Sequence, residues 1–325
     1  MSVPGKQVKN GVYEFDYTRI PKYKTRWESI RDEIYNKEEG TVLGKTGKKW
    51  GITGLFYLFF FSGLAILFAI CMKGLLATLD DHRPKWILES SLITTNPGLG
   101  FRPISDNTDE RSLIWYSASN ATQVRSWTAR LDKFLERYLN SSYLPTSGRN
   151  QQICSYDQPI KPGNVCAVDV SDWGPCSPQE GYGFNNSAPC VFIKLNRIFG
   201  WIPEYYNDTQ DLPKDMPASL ISHIKAVKTS ELNTVWVSCS GEDPADNEII
   251  GELDYYPKNQ GFPGYYYPYE NTPGYLSPLV AVHFLRPKRN QIINVECRAW
   301  ARNIIYSTTK LEKKGAVHFE LMIDD

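Results

Sequence analysis

Six cysteines, Cys154, Cys166, Cys176, Cys190, Cys239 and Cys297, are the residues best placed for covalent chemistry, and that chemistry is oxidation. The first four follow one another at spacings of 12, 10 and 14. A zinc site would need pairs about two residues apart, which are absent. A seventh cysteine, Cys71, lies in an apolar run, and none occurs in the first 49 residues. An even set confined to one part of the chain reads as three disulfides in an oxidising compartment. Joining neighbours, Cys154 with Cys166 and Cys176 with Cys190, is the simplest scheme, although six cysteines allow 15 connectivities. Four Asn-x-Ser/Thr acceptors, Asn120, Asn140, Asn185 and Asn207, fall in the same part, which points to N-linked glycans there.

Catalytic constellations do not appear. Gly40 and Gly44-Lys45-Thr46 come close to a phosphate loop, but three residues separate the glycines where four are needed. There is no H-E-x-x-H and no G-x-S-x-G. His82, His223, His283 and His318 are scattered, and Asp80-Asp81, Glu242-Asp243 and Asp324-Asp325 read as solvated charge. No D-x-D triplet exists, and nothing calls for a catalytic residue, a metal or a cofactor. The chain therefore reads as a binding protein and not as an enzyme.

The unusual residues are aromatic. Tyr255, Tyr256, Tyr265, Tyr266, Tyr267, Tyr269 and Tyr275 crowd into one proline-rich stretch. Tyrosine offers large amphipathic contact area, so the stretch reads either as an irregular loop packed on its own domain or as a partner surface.

The element that must position all of this is an uncharged run from Trp50 to Met72. As a helix it would be roughly 34 Å long, enough to cross a bilayer. One stripe of it holds Tyr57, Phe60, Phe61, Leu64 and Phe68. Another holds Ser62, Ala65 and Ala69, small enough for close helix–helix approach. Residues 1–49 carry a net charge of +4, with Lys45, Lys48 and Lys49 against the run, which keeps the N-terminus in the cytoplasm. The run is then a signal-anchor in a type II, single-pass membrane protein. The chain divides into a cytoplasmic tail (1–49), a membrane segment (50–79), a stalk (80–118) and an extracellular domain (119–325). Residues 50–325 are net −4, which argues against nucleic acid as a partner.

Within the exterior, Val124, Trp127, Leu131, Phe134, Leu135 and Tyr138 step by three and four, predicting a helix capped by Ser119 or Asn120. After residue 190 the period becomes two: Val235 to Cys239, Ile293 to Ala299 and Val317 to Ile323 predict strands with one buried face. Leu279 to Val282 predicts a fully buried strand. Cys239 and Cys297 on inward faces suit a bridge between two packed sheets. The fold class is a single transmembrane helix plus an all-β, immunoglobulin-like sandwich with an inserted helix and long disulfide-stapled loops.

Several segments together resemble one family, the beta subunit of the sodium/potassium-transporting P-type ATPase. They are Leu43-Gly44-Lys45-Thr46-Gly47, Leu55-Phe56-Tyr57, Pro97-Gly98-Leu99 with Pro103, and Lys194-Leu195-Asn196-Arg197 with Gly200. Tyr267-Pro268-Tyr269, Gly274-Tyr275-Leu276, Pro278 to Val282 and Glu296-Cys297 complete the set. The resemblance is weakest in residues 1–39 and 200–232, from which nothing is carried over. The resemblance implies a non-catalytic subunit that binds the catalytic alpha chain, supports its folding and export, and modulates its potassium affinity. It implies bridges Cys154–Cys166, Cys176–Cys190 and Cys239–Cys297. It places Tyr57, Phe60 and Phe61 at the membrane contact with alpha, and makes Tyr266, Tyr267 and Tyr269 candidates for the outer contact. A small single-span regulatory subunit is a third expected partner beside the alpha chain and the bilayer. The competing readings are the beta subunit of the proton/potassium pump, a luminal glycosyltransferase and an adhesion glycoprotein.

Overall fold

The computed structural model describes residues 25–36, 40–92, 95–158, 160–309 and 312–325. The chain divides into two compact units, Met1–Leu79 and Asp80–Asp325. In the first, helix α1 (Arg26–Ile34) leads into a three-stranded antiparallel ribbon of β1 (Tyr35–Asn36), β2 (Thr41–Val42) and β3 (Lys45–Thr46). Gly44 turns the chain between β2 and β3 at φ +71°, a conformation glycine adopts without penalty. Helix α2 (Gly47–Leu76) follows directly, starting before the uncharged run, so that Lys48 and Lys49 lie in its first turn. The Trp50 indole donates to the Val42 carbonyl at 2.8 Å, tying the helix start to the ribbon. At 30 residues α2 is roughly 45 Å long, with a mean hydropathy of 2.4 over its most apolar stretch and no buried side chain. Among the described residues it is the one helix long and apolar enough to cross a bilayer.

The second unit is a two-sheet sandwich. One sheet runs β10 (Leu253–Tyr256), β12 (Leu279–Phe284), β8 (Cys190–Leu195), β4 (Leu99–Arg102), all antiparallel. The other runs β11 (Gly261–Pro263), β9 (Thr234–Gly241), β13 (Ile292–Trp300), β16 (Ala316–Asp324), β5 (Leu113–Ser117). In it β16 pairs antiparallel with β13 and parallel with β5. Phe101 of β4 stacks on Phe319 of β16 at 4.9 Å, and Phe284 of β12 meets the same ring edge-on at 6.2 Å, so the core lies between the sheets. Every residue of β12 is buried, as its unbroken apolar sequence requires, whereas β13 alternates. Two short ribbons lie outside the sandwich: β6 (Gln151–Gln152) with β7 (Val165–Cys166), and β14 (Ser307–Thr309) with β15 (Glu312–Lys314).

Helix α3 (Ala121–Leu139) is the one the sequence spacing predicts. The Asn120 side chain accepts from the Thr122 and Gln123 amides as its N-cap, and Val124, Trp127, Leu131 and Leu135 are buried. Each such side chain contributes about 1.5–3 kcal/mol when taken from water. The Trp127 indole donates to the Trp115 carbonyl of β5 at 2.9 Å, locking α3 to the sheet edge. Helix α4 (Ala218–Ala226) lays Leu220 and Ile224 over Trp236 and Trp300 as a second, smaller core. The short α5 (Pro244–Ile249) carries buried Asp246, whose carboxylate accepts from the Asn294 amide of β13 at 3.0 Å.

Two expectations are corrected. Residues 80–118 are not all stalk, because they supply β4 to one sheet and β5 to the other. Their turn-forming residues and short apolar runs hid two strands. And the Cys239–Cys297 bridge does not join the two sheets: the cysteines face each other across β9 and β13 of one sheet, with Cα atoms 4.0 Å apart. Alternation placed both side chains inward correctly, but it carries no information about which strands are neighbours.

Candidate partner-binding surfaces

Helix α2 presents a block of four rings. Phe56 stacks on Phe60 at 6.1 Å and Tyr57 on Phe61 at 5.8 Å, both pairs one turn apart. Across the block Phe56 meets Tyr57, and Phe60 meets Phe61, edge-on at 5.5 Å. Tyr57, Phe60 and Phe61 are each about half exposed, at 50, 53 and 58 %. Phe56 is the member that sequence reading missed, and its position four residues before Phe60 was the available signal. At the start of the same helix the Lys45 ammonium sits over the Trp50 ring at 5.3 Å.

The tyrosine-rich loop is built differently. Tyr266 is buried, and its hydroxyl donates to the Ala167 carbonyl at 2.9 Å. Burial pushes the phenol far above its ordinary pKa. The Tyr267 ring meets Trp201 edge-on at 5.5 Å, and burial likewise raises its phenol well above the usual value. The Tyr255 hydroxyl accepts from the Cys239 amide at 2.9 Å, with its pKa pushed up to about 12 by burial. Tyr269 is half-buried: its hydroxyl donates to Asn271 Oδ1 at 2.9 Å, and its ring lies 4.9 Å from that of Tyr275. The Arg197 guanidinium packs over both rings, at 5.4 and 5.2 Å, and donates to Ser277 Oγ at 2.9 Å. Of the three tyrosines expected to meet a partner, Tyr266 is buried, and Tyr267 and Tyr269 are each half-buried. Composition marks such a loop as aromatic but cannot say which side of each ring is covered.

The second unit holds three disulfides: Cys154–Cys166, Cys176–Cys190 and Cys239–Cys297. Cys71 is free and exposed on α2. Asn120, Asn140, Asn185 and Asn207 are all exposed. At Asn140 the Ser142 amide and hydroxyl both donate to Asn140 Oδ1, at 3.0 and 2.7 Å.

Polar groups outside these surfaces pair locally. His318 Nδ1 on β16 lies 2.8 Å from Glu242 Oε2, just past the end of β9, with β13 between the two strands. His283 is buried at the rim of a cleft of about 620 Å³, and burial lowers its pKa. Among the described residues no three His, Cys, Asp or Glu side chains come together as a metal site. Gly44-Lys45-Thr46 forms the turn and strand before α2, with no helix-capping phosphate cradle around it.

A family model described as "Sodium / potassium ATPase beta chain" matches residues 21–319. The chain is 50 % identical over 313 residues to sodium/potassium-transporting ATPase subunit beta-2 of Drosophila melanogaster, covering 95 % of both chains. It is 45 % identical to subunit beta-1 of the same organism, with 96 % of each covered. The human subunit beta-2 is 30 % identical over 315 residues, covering 91 % of this chain and 94 % of the human one.

Proposed function

The chain belongs to the sodium/potassium ATPase beta chain family, a family of non-catalytic membrane subunits, and from that premise we propose that it binds the catalytic alpha chain of a sodium/potassium pump, supports its folding and carries it to the plasma membrane. The names of its relatives favour the sodium/potassium pump over the proton/potassium pump.

One observation carries the reading at residue level. Phe56, Tyr57, Phe60 and Phe61 form an ordered block of rings on a helix whose side chains bury nothing of their own unit. A multi-span partner has membrane faces that such a block can fill, and Ser62, Ala65 and Ala69 let a helix approach closely beside it. Tyr267 and Tyr269 are the outer candidates, with Tyr266 stiffening their loop from within. The tail (1–49) is assigned to the cytoplasm, the helix to the bilayer and the sandwich to the exterior. The +4 charge of the tail, the three disulfides and the exposed sequons support that orientation. N-linked glycans at Asn120, Asn140, Asn185 and Asn207 and a small single-span regulatory subunit complete the assembly.

The test is the double change Tyr57→Ala, Phe60→Ala, co-expressed with a P-type alpha chain. Truncating buried interface aromatics costs on the order of 2 kcal/mol or more each. Co-purification in mild detergent should therefore fall at least about tenfold, while the exterior keeps its three bridges on non-reducing gels. Undiminished co-purification would remove the ring block from the interface. Equal surface delivery of both chains expressed singly would remove the export role.

A further inference from the structure

Between α3, the β4–β8 edge of the first sheet and the loop around Tyr269 to Ser277 lies a cleft of about 610 Å³. Five cations line it, Arg102, Lys133, Arg137, Lys194 and Arg197, against one acid, Glu136. Residues 50–325 are net −4, so this is a local concentration and not a general basicity. Among the described residues none of the five has a carboxylate within ion-pairing distance, whereas Arg130, Arg289, Arg298 and Arg302 each do.

Three of the five cations are held in place, and Lys133 and Arg137 stand exposed on α3. Arg102 lies over the Phe134 ring at 5.6 Å and donates to the Phe101 carbonyl at 2.7 Å. Arg197 is fixed by Ser277 and by the rings of Tyr269 and Tyr275. Lys194 is half-buried between them. Burial first, and then the charges of Arg102 and Arg197, pull its ammonium below the ordinary lysine value. Like charges crowded together and partly out of water oppose folding, and an anion supplied from outside relieves that opposition.

We propose that this cleft binds an acidic sugar, one that carries sulfate or carboxylate oxyanions on its ring. Two planar guanidinium groups offer paired donors to such oxyanions, and Lys194 adds a point charge between them. The same walls carry tyrosine rings and the polar side chains of Asn271 and Thr272, which suit the faces and hydroxyls of a sugar. The volume holds a small ligand of one or two rings. An acidic peptide is the competing occupant, and the alpha-chain arm of the test separates it from a sugar.

The test uses the full chain in detergent, without an alpha chain, so that its outcome is separate from that of pump assembly. The probes are a heparin-derived tetrasaccharide, sialyllactose, lactose and inorganic sulfate. The sulfated tetrasaccharide or sialyllactose should bind more tightly than inorganic sulfate, and whichever binds identifies the oxyanion. Lactose, which carries no oxyanion, should not bind. Lys194→Gln should weaken binding about tenfold, as loss of a charge-assisted hydrogen bond does. Lys161→Gln, outside the cleft, should leave it unchanged. Independently of any variant, the bound sugar should shield Lys194, but not Lys161, from acylation read by mass spectrometry. Binding no tighter than inorganic sulfate would overturn the proposal. So would Lys194→Gln severing association with an alpha chain while sugar binding persists, which gives the cleft to a protein partner.

Discussion

The hydroxyl of Tyr267 is shut off from solvent and has no hydrogen-bond partner among the described residues. A buried hydroxyl left unpaired costs about 1–3 kcal/mol, so removing it relieves a penalty instead of breaking a bond. Tyr267→Phe should leave the exterior as stable as the parent or up to about 1 kcal/mol more stable in a urea melt. A clear loss of stability would show that the phenol is bonded after all. Tyr266 differs by one bond: its hydroxyl reaches Ala167, and Tyr266→Phe should destabilise by about 1 kcal/mol. These neighbours are indistinguishable in sequence, because what separates them is a carbonyl contributed from 99 residues away.

Strands β9 and β13 are held twice, by their backbone ladder and by Cys239–Cys297. The bridge spans 58 residues of sequence, against 12 for Cys154–Cys166. Chain entropy then gives roughly 4 kcal/mol for the longer loop and roughly 3 for the shorter. The pair Cys239→Ala, Cys297→Ala should therefore lower the urea midpoint more than Cys154→Ala, Cys166→Ala does. The reverse order would mean that the ladder alone fixes β9 to β13. Legibility in the sequence follows the same division between local and distant information. Helix α3, buried β12 and the alternating β13 and β16 were readable because each pattern is complete within its own residues. Strands β4 and β5 were not, because four or five residues flanked by turns gain their identity only from β8 and β16. Helix α4 escaped for a related reason: its apolar side faces Trp236 and Trp300, on strands later in the chain. The ring block on α2 was visible in outline, and only Phe56 needed coordinates. The basic cleft was invisible, since its five cations come from three separate segments.

Across the exterior, buried phenols set a common response to alkali. Burial raises Tyr138, Tyr156, Tyr205 and Tyr255 from 10.0 to about 12. A raised folded-state pKa means that the native form keeps its proton after the unfolded form has lost it. The stabilisation is complete below pH 10 and declines as pH rises from about 10 towards 12. Phenolate absorbance and tryptophan fluorescence should change together, in one cooperative transition within that window. Tyrosines ionising one by one near pH 10 with the fold intact would contradict the burial. The parallel pairing of β5 with β16 has a consequence for biosynthesis. Trp115 and Asp324, hydrogen-bonded in the finished sheet, are 209 residues apart in sequence. A ribosome delivers β5 long before its neighbour exists, so a nascent chain carries an unsatisfied strand edge until β16 has been made. Until then quality-control factors have a ready handle on the immature subunit.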